Sequence, residues 1–532
     1  MIFGMISKRK CIFYIFSRVI RGHYKLQNEG KAALIQELKN EICDHIVNLR
    51  LDSHQKNAEL GTRADYAYAQ FFYSKILNIY FNQSLLFFVG ARKSLIYPLP
   101  KFARKVIEHR GINVNNFMCA LLWSLSIIFF FLWSFIIILK YNCKFIAGSF
   151  AKKSREKQKL IMFNVSQACL ADTDEPHKKN LTNWCFENLD LTPDCLVYHD
   201  AVFQKNVGRL INLRSRCALS FEFYPKDIVQ LLLFNFRSIS VFLASLISSF
   251  SISGLKISLL ASQIDKLAFG ASSITGDTVF CFNLANYVFR PLWVDVAEDR
   301  GCNVVFCMYS TNTELFLLEP GKELVIGWQL ISWKKIYVWD QHQEKFLRRN
   351  SPFSDVSIHT VGPIPISDSG ASTNIALKRM PTCAVFDVQP HRLSRIAATG
   401  YPNIYYGGKA ASDFLFDIHD VTTEFKLNRV IKRKRNAGSM LQRRYASHIK
   451  SLLVNGWIEF PADANSIDLI YKSRFVICMP FTSVAIEAVI NGIPAIYYDP
   501  GGLIYQPDRH AHSVPVLTSK HALRAWIKSL IE

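Results

Sequence analysis

Residues 474–500 read RFVICMPFTSVAIEAVINGIPAIYYDP. Phe475 to Met479 is an apolar run of strand length, Phe481-Thr482-Ser483 turns the chain, and Val484 to Ile490 suits a short helix stopped by Asn491-Gly492. Pro494 precedes a second apolar run, Ala495 to Tyr498. Strand, helix and strand in this order make a parallel βαβ unit, because parallel neighbours need a crossover between them. Glu487 is expected in the first turn of the helix, just past two hydroxyls. Two readings account for it. In the local one, Thr482 or Ser483 caps the helix, the carboxylate suits its positive end, and Gly492 supplies the left-handed C-terminal position. In the other, the helix start lies beyond the carboxyl end of a strand in a doubly wound sheet, where ligands bind. The carboxylate then accepts both hydroxyls of a ribose.

The same texture extends on both sides. KLIMFNVS (159–166), DCLVYHDAVF (194–203), NVVFCMYS (303–310) and KKIYVWD (334–340) read as buried strands with helical segments between them. After the Gly/Pro/Ser-rich VGPIPISDSGAS (361–372), a second set begins with TCAVFDV (382–388) and NRVIKRK (428–434). SDFLFDIHDVTTEF (412–425) and QRRYASHIKSLL (442–453) supply its helices. The pattern predicts an α/β fold of two Rossmann-like domains facing across a cleft, an N-terminal one over 155–365 and a C-terminal one over 375–532.

Residues 1–110 are expected to form a helical region, followed by a hydrophobic helix over 111–142. Within it, FMCALLWSLSIIFFFLWSFIIIL (117–139) carries no charge. At about 1.5 Å per residue it matches a hydrocarbon core of about 30 Å, so a membrane helix is expected. Lys101, Arg104, Lys105 and Arg110 precede it and Lys140, Lys144, Lys152, Lys153 and Arg155 follow. Both flanks are therefore basic, and charge does not choose between crossing and dipping back. A second apolar stretch, DIVQLLLFNFRSISVFLASLISSF (227–250), has Arg237 in its middle and is read as a core helix of the α/β domain rather than a membrane-surface helix. The first 25 residues are basic and aromatic without a cleavage site, which suits an interfacial helix better than a signal peptide.

The 532 residues carry 63 Lys and Arg against 42 Asp and Glu, a net charge of +21 that suits anionic partners such as headgroups and nucleotide phosphates. Basic residues are not interleaved with aromatics as in a nucleic-acid module. The 13 cysteines include no CxxC pair. Cys119, Cys195, Cys281, Cys302, Cys307, Cys383 and Cys478 sit in apolar runs, as reduced core thiols of a cytosolic protein would. There is no GxGxxG, P-loop, GxSxG or HExxH. Asp172-Thr173-Asp174 does not end a strand and is not read as a metal pair.

Several residues are placed for chemistry. Asp387 ends the first strand of the second domain, and with Gln389 and His391 it falls where a switch point is expected, although Asp387 can equally be read as a cap for the following helix. Lys432, Arg433 and Lys434 follow a strand and either form a solvated strand end or neutralise a diphosphate. Strand alternation puts Lys432 and Lys434 on one flank and Arg433 on the other. His199-Asp200, in LVYHDAVF, is either a capping pair or a base for an acceptor hydroxyl. Asp295 and Glu298 share a helix face near Arg290.

Taken in order, TCAVFDVQPHR, FLFDIHDV, VIKRKR and TSVAIEAVINGIPAIYYDP resemble the C-terminal half of bacterial surface-carbohydrate (polysaccharide) biosynthesis proteins. Upstream, FRPLWVDVAEDRGCNVVFCMYSTN, YVWDQHQEKFLRR and VGPI are similar to the same family, so the resemblance covers roughly residues 190 to 505. It implies a glycosyltransferase of the two-domain GT-B type; basic groups and a helix N-terminus can stabilise the departing phosphate, so neither a metal nor another cofactor is expected. In such enzymes the hydroxyls matched by Thr482 and Ser483 approach donor phosphates, and the acid matched by Glu487 holds the ribose. The expectation is a membrane-associated enzyme taking sugar from a nucleotide-sugar donor in the C-terminal domain. Its acceptor would be a surface polysaccharide or lipid-linked glycan on the N-terminal domain. Membrane lipids are expected partners and nucleic acid is not. The catalytic domains would lie on the cytoplasmic side of a bacterial inner membrane. The alternatives are a nucleotide-sugar epimerase of the same fold and a non-catalytic membrane-bound assembly factor.

Overall fold

The computed structural model describes residues 30–54, 63–90, 93–149, 158–163, 181–192, 195–199, 223, 225–249, 255–283, 288–308, 310, 327–364, 382–388, 390, 408–433, 441–462, 464, 466–502 and 511–532. Among them the strands form two six-stranded sheets in which every pairing is parallel. The first contains β1 (Lys159–Phe163), β2 (Leu196–His199), β3 (Thr278–Phe282), β4 (Asn303–Cys307), β5 (Lys335–Val338) and β6 (Ser357–Thr360), in the order β2-β1-β3-β4-β5-β6. The second contains β7 (Thr382–Phe386), β8 (Asn428–Lys432), β9 (Ile458–Phe460), β10 (Phe475–Cys478), β11 (Ala495–Tyr498) and β12 (Val516–Leu517), in the order β12-β11-β10-β7-β8-β9. The expected two-domain α/β fold is present. Strands β3, β7, β10 and β11 are buried along their whole length, because helices cover both faces of each sheet. Strand order reverses between β1 and β3 and between β7 and β10, which opens a crevice at each reversal.

Ahead of the sheets stand α1 (Gly30–His54), α2 (Arg63–Phe71) with a π-helical turn (Phe72–Ile76), α3 (Ile79–Gly90), α4 (Lys101–His109) and the long α5 (Asn116–Ser149). Ile35, Leu38, Phe72, Phe81 and Ile107 make a core for these helices, and Trp123 of α5 joins it. The region is keyed to the first sheet by buried polar groups, which must find partners on burial. Gln70 Nε2 donates to the Leu330 carbonyl (2.7 Å) and the Ser332 hydroxyl (2.6 Å), and Arg63 Nε donates to the Ser332 carbonyl (3.1 Å).

Next come α6 (Leu181–Asn188), α7 (Ile228–Ser249), α8 (Leu255–Ser258), α9 (Leu260–Ala271) and α10 (Trp293–Asp299). Asp295 and Glu298 share a face of α10 as the spacing predicts, and the buried Arg290 guanidinium reaches both, at 2.5 and 2.8 Å. This trio is a structural charge cluster. The reading of residues 227–250 as a core helix needs correction. Leu231 and Phe234 of α7 are buried, but Leu232 and Phe236 are 63% and 72% exposed. By length and composition, α5 and α7 can both cross a membrane. The seven cysteines read as core thiols are buried. The expected N-terminal interfacial helix and the Asp172-Thr173-Asp174 run lie outside the described residues.

Helix α11 (Gln341–Asn350) connects β5 to β6 in the first unit. The second unit carries α12 (Gly408–Glu424), α13 (Arg443–Val454), α14 (Ser466–Tyr471), α15 (Ser483–Ile490) and α16 (Lys520–Ile531). Asp340, past the carboxyl end of β5, caps α11 by accepting from the Gln343 amide (2.9 Å). Its other oxygen meets His512 Nδ1 at 2.5 Å, and His342 Nε2 lies 3.2 Å from the Ser513 hydroxyl. His512 and Ser513, ahead of β12, thus meet the carboxyl edge of the first sheet. Burial works to raise the Asp340 carboxyl, but the His512 hydrogen bond and charge and the Gln343 amide together hold it below the usual carboxylate range.

A depressed carboxylate stabilises the fold above its unfolded value of about 3.9, and that contribution is lost as pH falls through the lower folded value. Asp340→Asn should therefore destabilise by about 1–2 kcal/mol at neutral pH and by progressively less as pH falls below about 3.9. Hydrogen exchange should locate the loosening at 511–515. An unchanged exchange rate there would mean that the contact does not hold the two units together.

Candidate functional site

The reversal between β7 and β10 places two strand ends and one helix start side by side. Met479, just past β10, donates its amide to the Phe386 carbonyl at the end of β7 (2.8 Å). Asp387 follows directly. It is 1% exposed, and neither carboxyl oxygen has a hydrogen-bond partner among the described residues. Burial pushes its carboxyl up to about 7, against the pull of the nearby Arg433 charge. A lone carboxylate out of water favours its protonated form, which is the origin of the shift.

Arg433 stands one residue past β8 and pairs with Glu459 of β9. Lys432 lies opposite Phe386 in the register and is buried, with its ammonium donating to the Ala462 carbonyl (3.0 Å). Lys432 thus has a structural anchor, while Arg433 is the cation felt by Asp387. Lys434, Gln389, His391 and Asp200 lie outside the described residues. His199 ends β2, an edge strand of the first sheet, with its backbone opposite Met162.

Helix α15 starts one residue earlier than the sequence suggests, at Ser483, and this corrects the local reading on two counts. Thr482 occupies the N-cap position, but its hydroxyl donates to the Met479 carbonyl (3.0 Å) and caps nothing. Its carbonyl accepts from the Tyr497 hydroxyl (2.9 Å), which pins the turn to β11. The helix start therefore has no side-chain cap. Glu487 is the fifth helical residue, beyond the first turn. The helix dipole acts within that turn, so it does not account for the carboxylate. Glu487 is half-buried, has no partner among the described residues, and is pushed up to about 7 by burial.

The site thus gathers Asp387, Lys432, Arg433 and the Thr482–Glu487 segment at one carboxyl edge and leaves His199 on the other sheet. Two carboxyl groups poised near neutrality beside a cation can accept hydroxyl hydrogens when ionised. An uncapped helix start offers amides to an anion. Asp340 and His512 were not singled out from the sequence; an Asp ahead of a helix reads only as a cap. No group of three or more His, Cys, Asp or Glu able to hold a metal occurs among the described residues.

No curated relative matches the chain by sequence. Solved structures similar to it include a UDP-GlcNAc 2-epimerase from Neisseria meningitidis bound to UDP-GlcNAc, with 10% identity, a TM-score of 0.37, and coverage of 70% of this chain and 91% of that one. The wall teichoic acid polymerase TagF has 10% identity and a TM-score of 0.36, covering 75% and 88% of the two chains. A trehalose 6-phosphate synthase from Burkholderia multivorans has 10% identity and a TM-score of 0.38, covering 70% and 90%. A family model, that of the polysaccharide biosynthesis PFTS motif proteins, matches residues 241–527. Pro480-Phe481-Thr482-Ser483 spells those four letters at the turn between β10 and α15. The match runs from within α7 through the whole second sheet, just over half of the chain, and the chain belongs to this polysaccharide biosynthesis family.

Proposed function

We propose that this chain is a membrane-associated glycosyltransferase that moves a sugar from a nucleotide-sugar donor to a surface-polysaccharide or lipid-linked acceptor. The observation that carries the reading is the pair of unpartnered carboxyl groups, Asp387 and Glu487, at the switch point of the second sheet. Neither has a structural partner among the described residues, and a ribose would give Glu487 one. In this proposal the donor diphosphate lies against the start of α15, with Arg433 nearby, and Lys434, next in sequence, is proposed as a second cation. Lys432 shapes the strand end through Ala462. Preorganised amides and cations favour the charge that grows on the departing phosphate. His199, at the end of β2 on the first sheet, and Asp200, next in sequence, are the groups proposed to take the acceptor proton. The family's role in polysaccharide biosynthesis supports the reaction class. The enzyme would work on the cytoplasmic side of the bacterial inner membrane.

A thermal-shift screen of nucleotides and nucleotide sugars identifies the donor, since a ligand at 100 times its dissociation constant stabilises by about 2.7 kcal/mol. Release of nucleoside diphosphate only when glycan acceptor is present is the expected activity. Conversion of the donor sugar to an epimer without acceptor would replace this reading with an epimerase. Tight binding without either reaction would replace it with an assembly factor.

Glu487→Gln separates binding from folding. The parent carboxyl is raised, so folded-state stability falls as pH climbs from the unfolded value of about 4.3 through about 7. At pH 8 the Gln variant should melt no lower than the parent, and the difference should shrink toward pH 5. Its affinity for the nucleoside diphosphate should drop by about 1–3 kcal/mol in calorimetry. Equal affinity with a lower melting temperature would return Glu487 to a structural role.

The acceptor side is tested by His199→Ala and Asp200→Asn. Loss of a general base lowers turnover roughly a hundredfold or more, whereas the donor dissociation constant should stay within about twofold, because β2, which ends at His199, belongs to the first sheet and the proposed donor site to the second. Full turnover in both variants would place the base elsewhere.

A further inference from the structure

We infer that α5 and α7 together form one monotopic platform that lies in the plane of an anionic phospholipid leaflet and does not cross it. This deepens the membrane part of the reading above and is independent of the reaction.

Each helix carries a straight apolar stripe left exposed by the described residues. On α5, Phe117, Leu121, Leu125, Ile128 and Leu132 recur at helical spacing and are exposed. On α7 the corresponding series is Ile228, Leu232, Phe236, Ile239 and Leu243. The two helices run antiparallel and are clasped at Asn142 and Asn235, whose side-chain amides each donate to the other's carbonyl (2.8 Å both ways). Phe131 and Phe242 pack at 3.9 Å further along. Both helices rest on α9, so the faces turned away from it make one layer.

Three observations argue that this layer lies flat. The inner face of α5 packs on two cores of the protein, that of the N-terminal helical region through Cys119 and Trp123 and that of the first sheet through Ile138 and Tyr141. Trp123 packs on Phe72 and Phe130 on Phe71 near one end, and Tyr141 Oη donates to Asp265 of α9 (2.7 Å) near the other. A crossing helix would drag those elements, with Asp265 and Lys266, into hydrocarbon. The length points the same way: 34 residues at about 1.5 Å each make a helix of about 51 Å, well beyond a core of about 30 Å. Finally, Arg237 is exposed halfway along α7, at the rim of its apolar arc. At a bilayer centre that charge is strongly disfavoured, whereas in the interface it reaches a lipid phosphate. Lys140, within α5, and Lys226, two residues ahead of α7, are exposed and add positive charge at headgroup level.

The test uses the full chain and vesicles of phosphatidylcholine with or without phosphatidylglycerol. The protein should float with both and more with the anionic mixture. Ile128→Glu and Leu232→Glu should each lower the bound fraction roughly tenfold without changing the melting temperature, because each side chain is exposed and each change puts a charge into the leaflet. In inverted membrane vesicles, an impermeant maleimide should reach Cys143 and an Asn113→Cys variant from the same face, with Cys143→Ala as control. Labelling from opposite faces would overturn the in-plane arrangement. A parent chain that does not float, and whose dimers dissociate on Leu232→Glu, would overturn the lipid partner in favour of a second copy. Nucleotide binding is not read in this assay, so its failure leaves the donor site standing, and the reverse also holds.

Discussion

Every strand pairing in both sheets is parallel, and that one constraint organises the molecule. A parallel neighbour requires a crossover, so each strand end delivers the chain to the same edge and each following helix begins there. In the second sheet β8 and β9 are laid to one side of β7, and β10, β11 and β12 to the other. The strands that follow β7 and β10 therefore lie in opposite directions across the sheet, and the surface parts between the two strand ends. Asp387, Arg433 and the turn before α15 meet at that parting although they are far apart in sequence.

The electrostatics of the two units differ in kind. Arg290 is buried but reaches both Asp295 and Glu298, with Lys334 adding a further contact to Glu298 (2.9 Å). Asp340 is likewise supported, by His512 and an amide. The Asp340 carboxyl is stabilised in its charged form. Asp387 and Glu487 are held in poorly solvated positions without partners among the described residues, and the fold is less stable for it whenever they ionise. Unpartnered carboxyl groups at a ligand crevice are the expected mark of a site whose partner arrives from solution.

The apolar helices show a related contrast. α5 has hydropathy enough for a span, yet its inner face belongs to the cores of its own domains. Hydropathy counts residues around the whole helix, whereas lipid sees only the arc left over after packing.

The sequence by itself determined the fold class, because long apolar runs with turn residues between them leave few alternatives to buried parallel strands. It also marked Asp387, the cations after β8 and the Glu487 helix, since each sits next to a recognisable strand end. It did not mark β9 or β12, which are three and two residues long, or β6, an exposed edge strand with one buried residue. Strand β3 was missed as well, although TVFCF is fully buried. A short apolar run carries no period of its own, and only its place between β1 and β4 makes it a strand. The tertiary structure alone decided that the Thr482 hydroxyl turns back to Met479, that Lys432 is tied to Ala462, and that α7 faces outward. Each outcome depends on which non-local atoms lie within hydrogen-bond or packing distance, and local patterns in a chain do not contain that information.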